Sequence, residues 1–396
     1  MRTRGADAIE FNIPGTEVKT ISPVAALPDI TDMVAIDGYT QPGTEKNTLA
    51  KGTNAVLKIE LNGENAGNAA GLEFNPPSGK TAAGSVVRGL SINRFDAAGI
   101  LLQGGVRTSN LRIEGNFLGT DPGGTEALGN GDGVNYFAAV DSTIGGSTPD
   151  KRNLISGNGG AGVSAGNFSA RASIEGNLIG TQKDGISALG NGVAGVFTSF
   201  GGQSQGNPNH VVGGGTAAAA NTIAFNGGDG VGIFGCQRNP VTGAQSCGDG
   251  ISVLVNSIFS NGGLGIDLEG GTEDADGHTA NDPGDLDDRT DGSNLLQNFP
   301  VLTSAKTASG KTTIKGKLNS TPNFSFTVRF FSNPKGTDEG KVFIGKKSGT
   351  TDANGNASFI FAPAKAVSVG RAITATATDP GGNTSEFSAP RAVVAG

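Results

Sequence analysis

The stretch GNFLGTDPGGTEALGNG at residues 115–131 recurs as GNLIGTQKDGISALGNG at residues 176–192. The two copies start 61 positions apart and share ten identities, of which five are glycine and two are asparagine. Glycine adopts the positive φ angles that other residues avoid, so the shared positions indicate a repeated backbone shape. The segments between them, DPGGTE and QKDGIS, differ and are predicted to protrude as loops.

A second repeat extends this pattern over most of the chain. Short apolar runs contain Gly-Val or Gly-Ile steps at intervals of 34, 29, 33, 35 and 35 residues. The runs are AAGILL (97–102), GDGVNY (131–136), GAGVSA (160–165), VAGVFT (193–198), GDGVGI (228–233) and GLGIDL (263–268). Two more short apolar runs usually lie within each interval, which gives three strands per repeat. This pattern predicts an all-β fold, namely a β-solenoid whose coils stack to satisfy their backbone groups.

The side chains expected inside this solenoid follow from the same alignment. Asparagine recurs after the third strand of a coil at Asn158, Asn226 and Asn261. Asparagine tolerates a left-handed backbone, and stacked asparagine side chains can hydrogen-bond in a ladder. The phenylalanines within predicted strands are expected to pack in the core, namely Phe117, Phe197, Phe234 and Phe259.

From residue 299 the pattern changes. Longer runs with period-two alternation appear, such as FSFTVRFFSN (324–333) and ASFIFAPA (357–364), separated by the turns DANG and DPGGN. Residues 299–396 are therefore predicted to form a small antiparallel β-sandwich of immunoglobulin-like type. They hold 12 Lys+Arg against 5 Asp+Glu, whereas residues 1–298 hold 17 against 31, so the main body is acidic and not typical of a nucleic-acid binder. No apolar run approaches membrane-spanning length.

The order of several motifs resembles one protein family. They are FNIPG (11–15), TISPVAALPDIT (20–31), AIDGYTQPG (35–43), the two seventeen-residue copies, GIDL (265–268), NDPGD (281–285), LQNFPVLTSA (296–305) and ITATATDPGGNTSEFS (373–388). Together they resemble the right-handed parallel β-helix repeat proteins, in particular modules of large secreted bacterial surface proteins. The resemblance implies a right-handed parallel β-helix over residues 1–298 and an extracellular or cell-surface location.

Modules of this family usually begin with an amphipathic helix that caps the first coil. The present sequence lacks that helix, and its first residues, MRTRGADAIEFNIPG, lack the apolar segment of a signal peptide. The first coil, around residues 8–13, is therefore expected to expose a strand edge that allows end-to-end self-association.

The two cysteines, Cys236 and Cys247, flank a loop that contains proline and glycine. A disulfide across such a hairpin would stabilise it by roughly 3 kcal/mol and would indicate an oxidising compartment. Two free thiols are the alternative.

The segment IDLEGGTEDADGHTANDPGDLDDRTDG, residues 266–292, holds ten carboxylates against one arginine. Carboxylates interleaved with glycine and proline suit Ca²⁺. The predicted ligands of a structural calcium ion between solenoid and sandwich are Asp267, Glu269, Asp274, Asp276, Asp282, Asp285 and Asp287. The alternative is a solvated acidic loop.

Three aspartates, Asp132, Asp229 and Asp249, lie in GDG tripeptides before strands. Carboxylates aligned on one edge of the solenoid would be candidates for an acid/base pair, although Asp-Gly is also common turn chemistry. No catalytic motif is visible. There is no tryptophan and there are only two tyrosines, so aromatic platforms for sugars are nearly absent by sequence.

Two classes of function follow. The first is an extracellular module for adhesion, structure or polysaccharide binding, with contacts around loop residues Asp121, Glu126, Lys183 and Asp184. Its partner would be an extracellular polysaccharide or a cell-surface component. The second is a polysaccharide-active enzyme, that is, a lyase, glycoside hydrolase or epimerase, expected from fold analogy alone. Lys341, Lys346 and Lys347 of the sandwich either contact acidic polymers or keep the surface soluble.

Overall fold

The computed structural model describes residues 7–166, 168–199, 208–235, 237–238, 245–246, 248–275, 277–286 and 292–396. Within them the regular structure consists of β-strands and four short 3-10 helices, Gly38–Thr40, Pro149–Lys151, Ala217–Ala219 and Ser293–Leu296. No helix among the described residues is long and apolar enough to cross a membrane.

Three long parallel sheets run along the first three quarters of the chain. In spatial order, sheet A contains β1 (Asp7–Glu10), β3 (Val34–Asp37), β6 (Val86–Arg88), β10 (Arg112–Glu114), β14 (Thr143–Gly145), β17 (Ser173–Glu175), β20 (Val211–Val212) and β25 (Ser252–Val253). Sheet B contains β2 (Lys19–Ile21), β4 (Ile59–Asn62), β7 (Leu90–Asn93), β11 (Phe117–Leu118), β15 (Leu154–Ile155), β18 (Leu178–Ile179), β21 (Thr222–Ala224) and β26 (Ser257–Phe259). Sheet C contains β5 (Leu72–Phe74), β8 (Ala98–Leu102), β12 (Asp132–Tyr136), β16 (Val163–Ala165), β19 (Val196–Ser199), β22 (Val231–Phe234) and β27 (Ile266–Leu268). The chain visits the three sheets in turn, so the fold is a parallel β-helix with three strands per coil, as predicted.

Each strand pairs in register with its counterpart one coil away. In sheet C, for example, Val134 pairs with Val163, which pairs with Val196. These residues face inward and are fully buried. The glycine before each of them is required by close packing: a Cβ on Gly133 would lie 2.4 Å from Cγ2 of Ile155.

Two asparagine ladders run inside the solenoid. The first, near the sheet A–sheet B corner, connects Asn116, Asn153, Asn177, Asn221 and Asn256. The second, near the sheet B–sheet C corner, connects Asn130, Asn158, Asn191, Asn226 and Asn261 through side-chain bonds of 2.9–3.1 Å.

The second ladder confirms the hydrogen-bonded asparagine stack predicted from sequence. The left-handed residues, however, are those just before the asparagines: Gly157, Phe225 and Ser260 have φ of 74°, 62° and 59°. This arrangement turns the chain at the preceding residue and leaves the asparagine side chain pointing inward.

The repeated segments 115–131 and 176–192 occupy equivalent places two coils apart, since β11 pairs with β15 and β15 with β18. Their loops fold over the outer side of sheet B. There Phe117, Leu154 and Leu178 form a small separate core. A third loop packs beside them: the Arg152 guanidinium donates to the carbonyls of Leu49, Ala50 and Gly52.

A β-sandwich follows the solenoid. One sheet contains β32 (Asn356–Phe361), β29 (Lys311–Asn319), β28 (Val301–Ala308) and β35 (Val394–Ala395). The other, sheet E, contains β31 (Val342–Thr350), β30 (Ser325–Asn333), β33 (Ala372–Thr378) and β34 (Arg391–Ala392). Apart from the β28–β35 pair, the strands are antiparallel. Two small pairs complete the structure: β9 (Gly105–Ser109) with β13 (Ala139–Val140), and the hairpin β23 (Gln237–Arg238) with β24 (Gln245–Ser246).

The sandwich covers the last coil of the solenoid. Backbone bonds of 3.0 and 3.1 Å join Ile258 to Gly340, and the amide of Val253 donates to Thr384. Phe331 and Phe387 belong to the same apolar core as the solenoid interior. At the other end β1 and β2 are the terminal strands, and Ile9 is 47% exposed. Self-association through that end stays a prediction.

Candidate functional site

The outward side chains of sheet C, here called the sheet C face, form the candidate site. Side chains alternate along a strand, so the neighbours of buried Val134, Val196 and Ile266 point away from the core. The first outward row, in spatial order, is Glu73, Leu101, Asn135, Ser164, Phe197, Gly232 and Asp267. The seven strands contain three carboxylates and no lysine or arginine. The face therefore combines apolar, neutral polar and acidic side chains, and its strands contribute no basic one.

Two phenylalanines stack on this face. Phe197 and Phe234 have ring centroids 5.3 Å apart and an interplanar angle of 23°. The stack forms because Phe197 lies beside Gly232: a Cβ there would meet the Phe234 ring at 2.3 Å, so glycine leaves room for it. Phe137, which is 37% exposed, likewise lies beside Gly166. Because the neighbouring glycines have no side chain, these aromatic rings give the sheet C face a wide apolar surface.

These rings correct the expectation that the strand phenylalanines pack in the core. Phe117 is buried, but under the sheet B loops; Phe197, Phe234 and Phe259 are half-buried and face outward. The Phe259 ring lies under the Lys341 ammonium, 3.9 Å from its centroid. The sequence did contain the signal, because strand alternation places Phe197 opposite to Val196. The stacked pair also supplies the aromatic surface that appeared nearly absent when only tryptophan and tyrosine were counted.

Two carboxyl groups, those of Asp229 and Asp267, lie beside the phenylalanine stack, towards the last coil of the solenoid. Asp229 and Asp267 lie on neighbouring coils, and each affects the pKa of the other. Burial, followed by the charges of Asp229 and Glu273, raises the pKa of Asp267 to about 7. Burial also raises the pKa of Asp229, although the Leu264 amide at 2.9 Å and the neighbouring Asp267 side chain stabilise its charge. The raised pKa values favour a state in which one of the two carboxyl groups, here called the Asp229–Asp267 dyad, is protonated near neutral pH.

A further carboxyl group lies behind the dyad, where the sandwich meets the solenoid. Glu386 accepts hydrogen bonds from the amides of Leu268 and Thr279 at 3.1 and 2.9 Å. Burial raises its pKa to about 8. No local pattern in the sequence connects residue 386 with residue 268.

The three GDG aspartates do not come together. Asp132 accepts from the Ala161 amide at 2.9 Å, as Asp229 does from Leu264, so each carboxylate caps the turn of the next coil. Asp132 and Asp229 are three coils apart in one column, which corresponds to about 14 Å at normal strand spacing. Burial raises the pKa of Asp132, opposed by bonds from Ala161 and Asn135.

Asp249 lies elsewhere. It precedes β25 of sheet A, accepts from the Leu295 amide at 3.2 Å, and has a pKa that burial raises to about 6. Asp132 and Asp229 therefore act as turn residues, whereas Asp249 lies at the junction with the sandwich.

The loop residues predicted to bind a partner hold their own loops together. Both oxygens of Asp121 accept backbone amides of its loop, at Gly123, Thr125 and Glu126. In Asp184, Oδ1 accepts the amides of Ile186 and Ser187, and Oδ2 accepts the Ser187 hydroxyl. The Lys183 amide donates to the Gly124 carbonyl, so the two loops pack side by side as one ridge.

The predicted calcium ligands are distributed over separate surroundings. Asp267 and Glu269 lie at the sheet C face, Asp274 accepts from the His278 amide, and Asp285 is buried with bonds from Gln297 and Asn298. One Asp282 oxygen is buried without a hydrogen-bond donor among the described residues.

Within the described part of the chain no three carboxylate, histidine or cysteine groups could hold a metal ion together. The described members of the predicted ligand set thus do not form a calcium site by themselves. Asp276 and Asp287 lie outside the described residues, so calcium binding stays a prediction.

The disulfide prediction also falls outside the described residues, since Cys236 and Cys247 are not among them. The strands between them, β23 and β24, do pair as an antiparallel hairpin.

Comparison with known proteins gives no assignment. No family model matches the chain, and no curated protein matches it either. The function is therefore inferred from the fold and from the side chains of the sheet C face.

Proposed function

We propose that the chain is a polysaccharide-binding module of an extracellular or cell-surface protein and that the sheet C face is its binding surface. The observation that carries the proposal is the outward Phe197–Phe234 stack bordered by the carboxyl groups of Asp229 and Asp267. Binding sites for small polar ligands combine an apolar or aromatic surface with a few polar groups that fix the orientation of the ligand. Carboxylates accept hydrogen bonds from sugar hydroxyls, and the apolar side of a sugar ring packs on an aromatic ring.

The shape of the molecule supports the same function. Successive coils present equivalent outward positions about 4.8 Å apart. This regular spacing suits a polysaccharide, which is itself made of repeated units. The resemblance of the motifs to modules of secreted surface proteins supports the location. The proposed module acts through its outer face, while the interior ladders keep that face rigid.

The test is binding of a panel of neutral, amino and uronic polysaccharides, measured by affinity electrophoresis and calorimetry. The double variant Phe197→Ala/Phe234→Ala should lose about 1 kcal/mol per ring, which corresponds to about 30-fold weaker binding. Phe324→Ala is the matched control, because Phe324 is a 41% exposed phenylalanine of the sandwich. Equal binding by the double variant and the control, with both folded by thermal melting, would refute the proposed surface.

A second candidate function is catalysis on a polysaccharide, favoured by the Asp229–Asp267 dyad. Glycoside hydrolases hold their two carboxyl groups about 5–10 Å apart across an open site, whereas Asp229 and Asp267 are neighbours that affect each other's pKa, so the dyad alone does not establish that chemistry. Assays of reducing ends and of the absorbance of unsaturated products on the same panel test this candidate. Turnover by the wild type that is lost in Asp267→Asn would show that the chain is an enzyme rather than a binding module.

A further inference from the structure

Arg329 is a buried cation at the junction between sandwich and solenoid. It lies in β30, whose alternate residues Val328 and Phe330 point into the sandwich core. Arg329 and Phe331 therefore point to the other side of sheet E, where Phe331 meets the solenoid core. Only 7% of Arg329 is exposed, and burial lowers the pKa of its guanidinium.

Within the part of the chain that the structure describes, no carboxylate forms an ion pair with this guanidinium. Among the described residues the Arg329 side chain makes one hydrogen bond, from Nη1 to Oγ1 of Thr378 at 2.8 Å. Its Nε and the hydroxyl of Thr376, the residue paired with it on β33, are buried without partners. A buried charge without an opposite charge is strongly unfavourable, so this arrangement calls for an anion.

Four other arginines show how a guanidinium is satisfied elsewhere in this fold. Arg88 pairs with Asp37 at 2.6 Å, and Arg171 pairs with Asp141. The half-buried guanidinium of Arg152 donates to four carbonyl oxygens. Arg371 donates to the hydroxyl and carbonyl of Ser332.

A second cation lies directly across the sheet. Lys346 of β31 is the register partner of Arg329, and cross-strand partners lie on the same face. The next row contains hydroxyls: Thr327 and Ser348 are 3.3 Å apart. Lys346 and Ser348 are exposed, so the row opens to solvent on this side. Two like charges opposite each other repel, which adds to the stabilisation that an anion between them would give.

We propose that Arg329 and Lys346, with the hydroxyl of Thr376, form an oxyanion-binding site on sheet E. The ligand is a carboxylate, sulfate or phosphate group, because the planar guanidinium offers Nε and a neighbouring Nη as a fork that matches two oxygens. Lys346 supplies a second positive charge at the open side. The group comes either as a free ion or on an acidic polymer. This site is separate from the sheet C face and does not depend on the function proposed for it.

The experiment is calorimetric titration of the full chain, at constant ionic strength in chloride, with inorganic sulfate, inorganic phosphate and polygalacturonate. We expect saturable binding that weakens about tenfold or more in Arg329→Gln, as loss of a charge-assisted bidentate contact implies. Arg391→Gln is the matched control, because Arg391 is an exposed arginine of the same sheet, and it should change binding by less than about twofold.

The exposed Lys346→Gln variant keeps the test valid if Arg329→Gln does not fold, and it should also weaken binding. Binding of the inorganic ions identifies a free ion as sufficient, whereas binding of polygalacturonate alone identifies an acidic polymer. The proposal is overturned if the wild type binds none of the three, or if Lys346→Gln and every folded Arg329 variant bind as tightly as Arg391→Gln.

Discussion

Asn191 lies in the middle of the second asparagine ladder, and its replacement by alanine tests how the solenoid holds its coils together. Its Oδ1 accepts from the backbone amide and from Nδ2 of Asn158 at 3.2 and 2.9 Å. Its Nδ2 donates to the Ile155 carbonyl at 3.1 Å and to Oδ1 of Asn226 at 2.9 Å. All these groups are buried, so water cannot replace the missing partner.

The expected magnitude follows from the groups that are left unsatisfied. The Ile155 carbonyl keeps the Gly180 amide, and Oδ1 of Asn226 keeps the backbone amide of residue 191. The amide of Asn158 and one of its Nδ2 hydrogens lose their acceptor. Two buried donors at about 1.5 kcal/mol each give a destabilisation of about 3 kcal/mol.

Urea unfolding followed by far-UV circular dichroism measures this change. Asn75→Ala is the matched control, because Asn75 is also a solenoid asparagine but its side chain makes one exposed bond, to Asp29 at 3.2 Å. The control should change the free energy of unfolding by less than about 0.5 kcal/mol.

The end of the same ladder allows a second test of this reasoning. Asn261 donates from Nδ2 to Glu339 of the sandwich at 2.9 Å; because Glu339 is buried but Asn261 is only partly buried, Glu339→Ala should cost about 2 kcal/mol. If Asn191→Ala were no more destabilising than Asn75→Ala, the ladder would not stabilise the coils and the reasoning would be wrong.

The remaining predictions concern pH and calcium. Because burial raises the pKa of Glu386 to about 8 in the folded chain, against 4.5 as its ordinary value, the folded state holds more protons between these values. The stabilisation is complete below about pH 4.5 and is lost as the pH rises through about 8, with a slope of at most about 1.4 kcal/mol per pH unit. Urea unfolding at several pH values should show this decline, and Glu386→Gln should flatten it; an equal slope in both proteins would contradict the assignment. If the acidic segment 266–292 binds calcium, EDTA should lower the melting temperature by several degrees and added calcium should restore it. Identical melting curves would remove the calcium prediction.

Part of this architecture follows from local sequence. The Gly-Val and Gly-Ile steps mark strands β8, β12, β16, β19, β22 and β27, and all six belong to sheet C. The alternating runs FSFTVRFFSN and ASFIFAPA of the sandwich coincide within a few residues with β30 and β32. Both patterns could be recognised because each coil or strand must satisfy the same local constraints. The edge strands β34 and β35 are two residues each and carry no such pattern.

The candidate site was less predictable. The GDG tripeptide selected Asp132 and Asp229 correctly as one column but gave them the same role as Asp249, which lies in another sheet. The phenylalanine stack could have been found from strand alternation, whereas the dyad could not, because Asp229 and Asp267 belong to different coils and meet only when the coils are in register.

By itself, then, the amino-acid sequence determined the winding of the chain, because corner glycines and inward asparagines repeat at the period of one coil and act through short-range sterics and hydrogen bonds. Only the tertiary structure decided where the solenoid ends and what covers it. Glu339 completes an asparagine ladder 78 residues away, Glu386 binds the last strand of sheet C, and Arg329 is buried without an ion pair to any described carboxylate. Such contacts depend on two surfaces, formed far apart in the chain, being brought face to face, and no local period encodes that meeting.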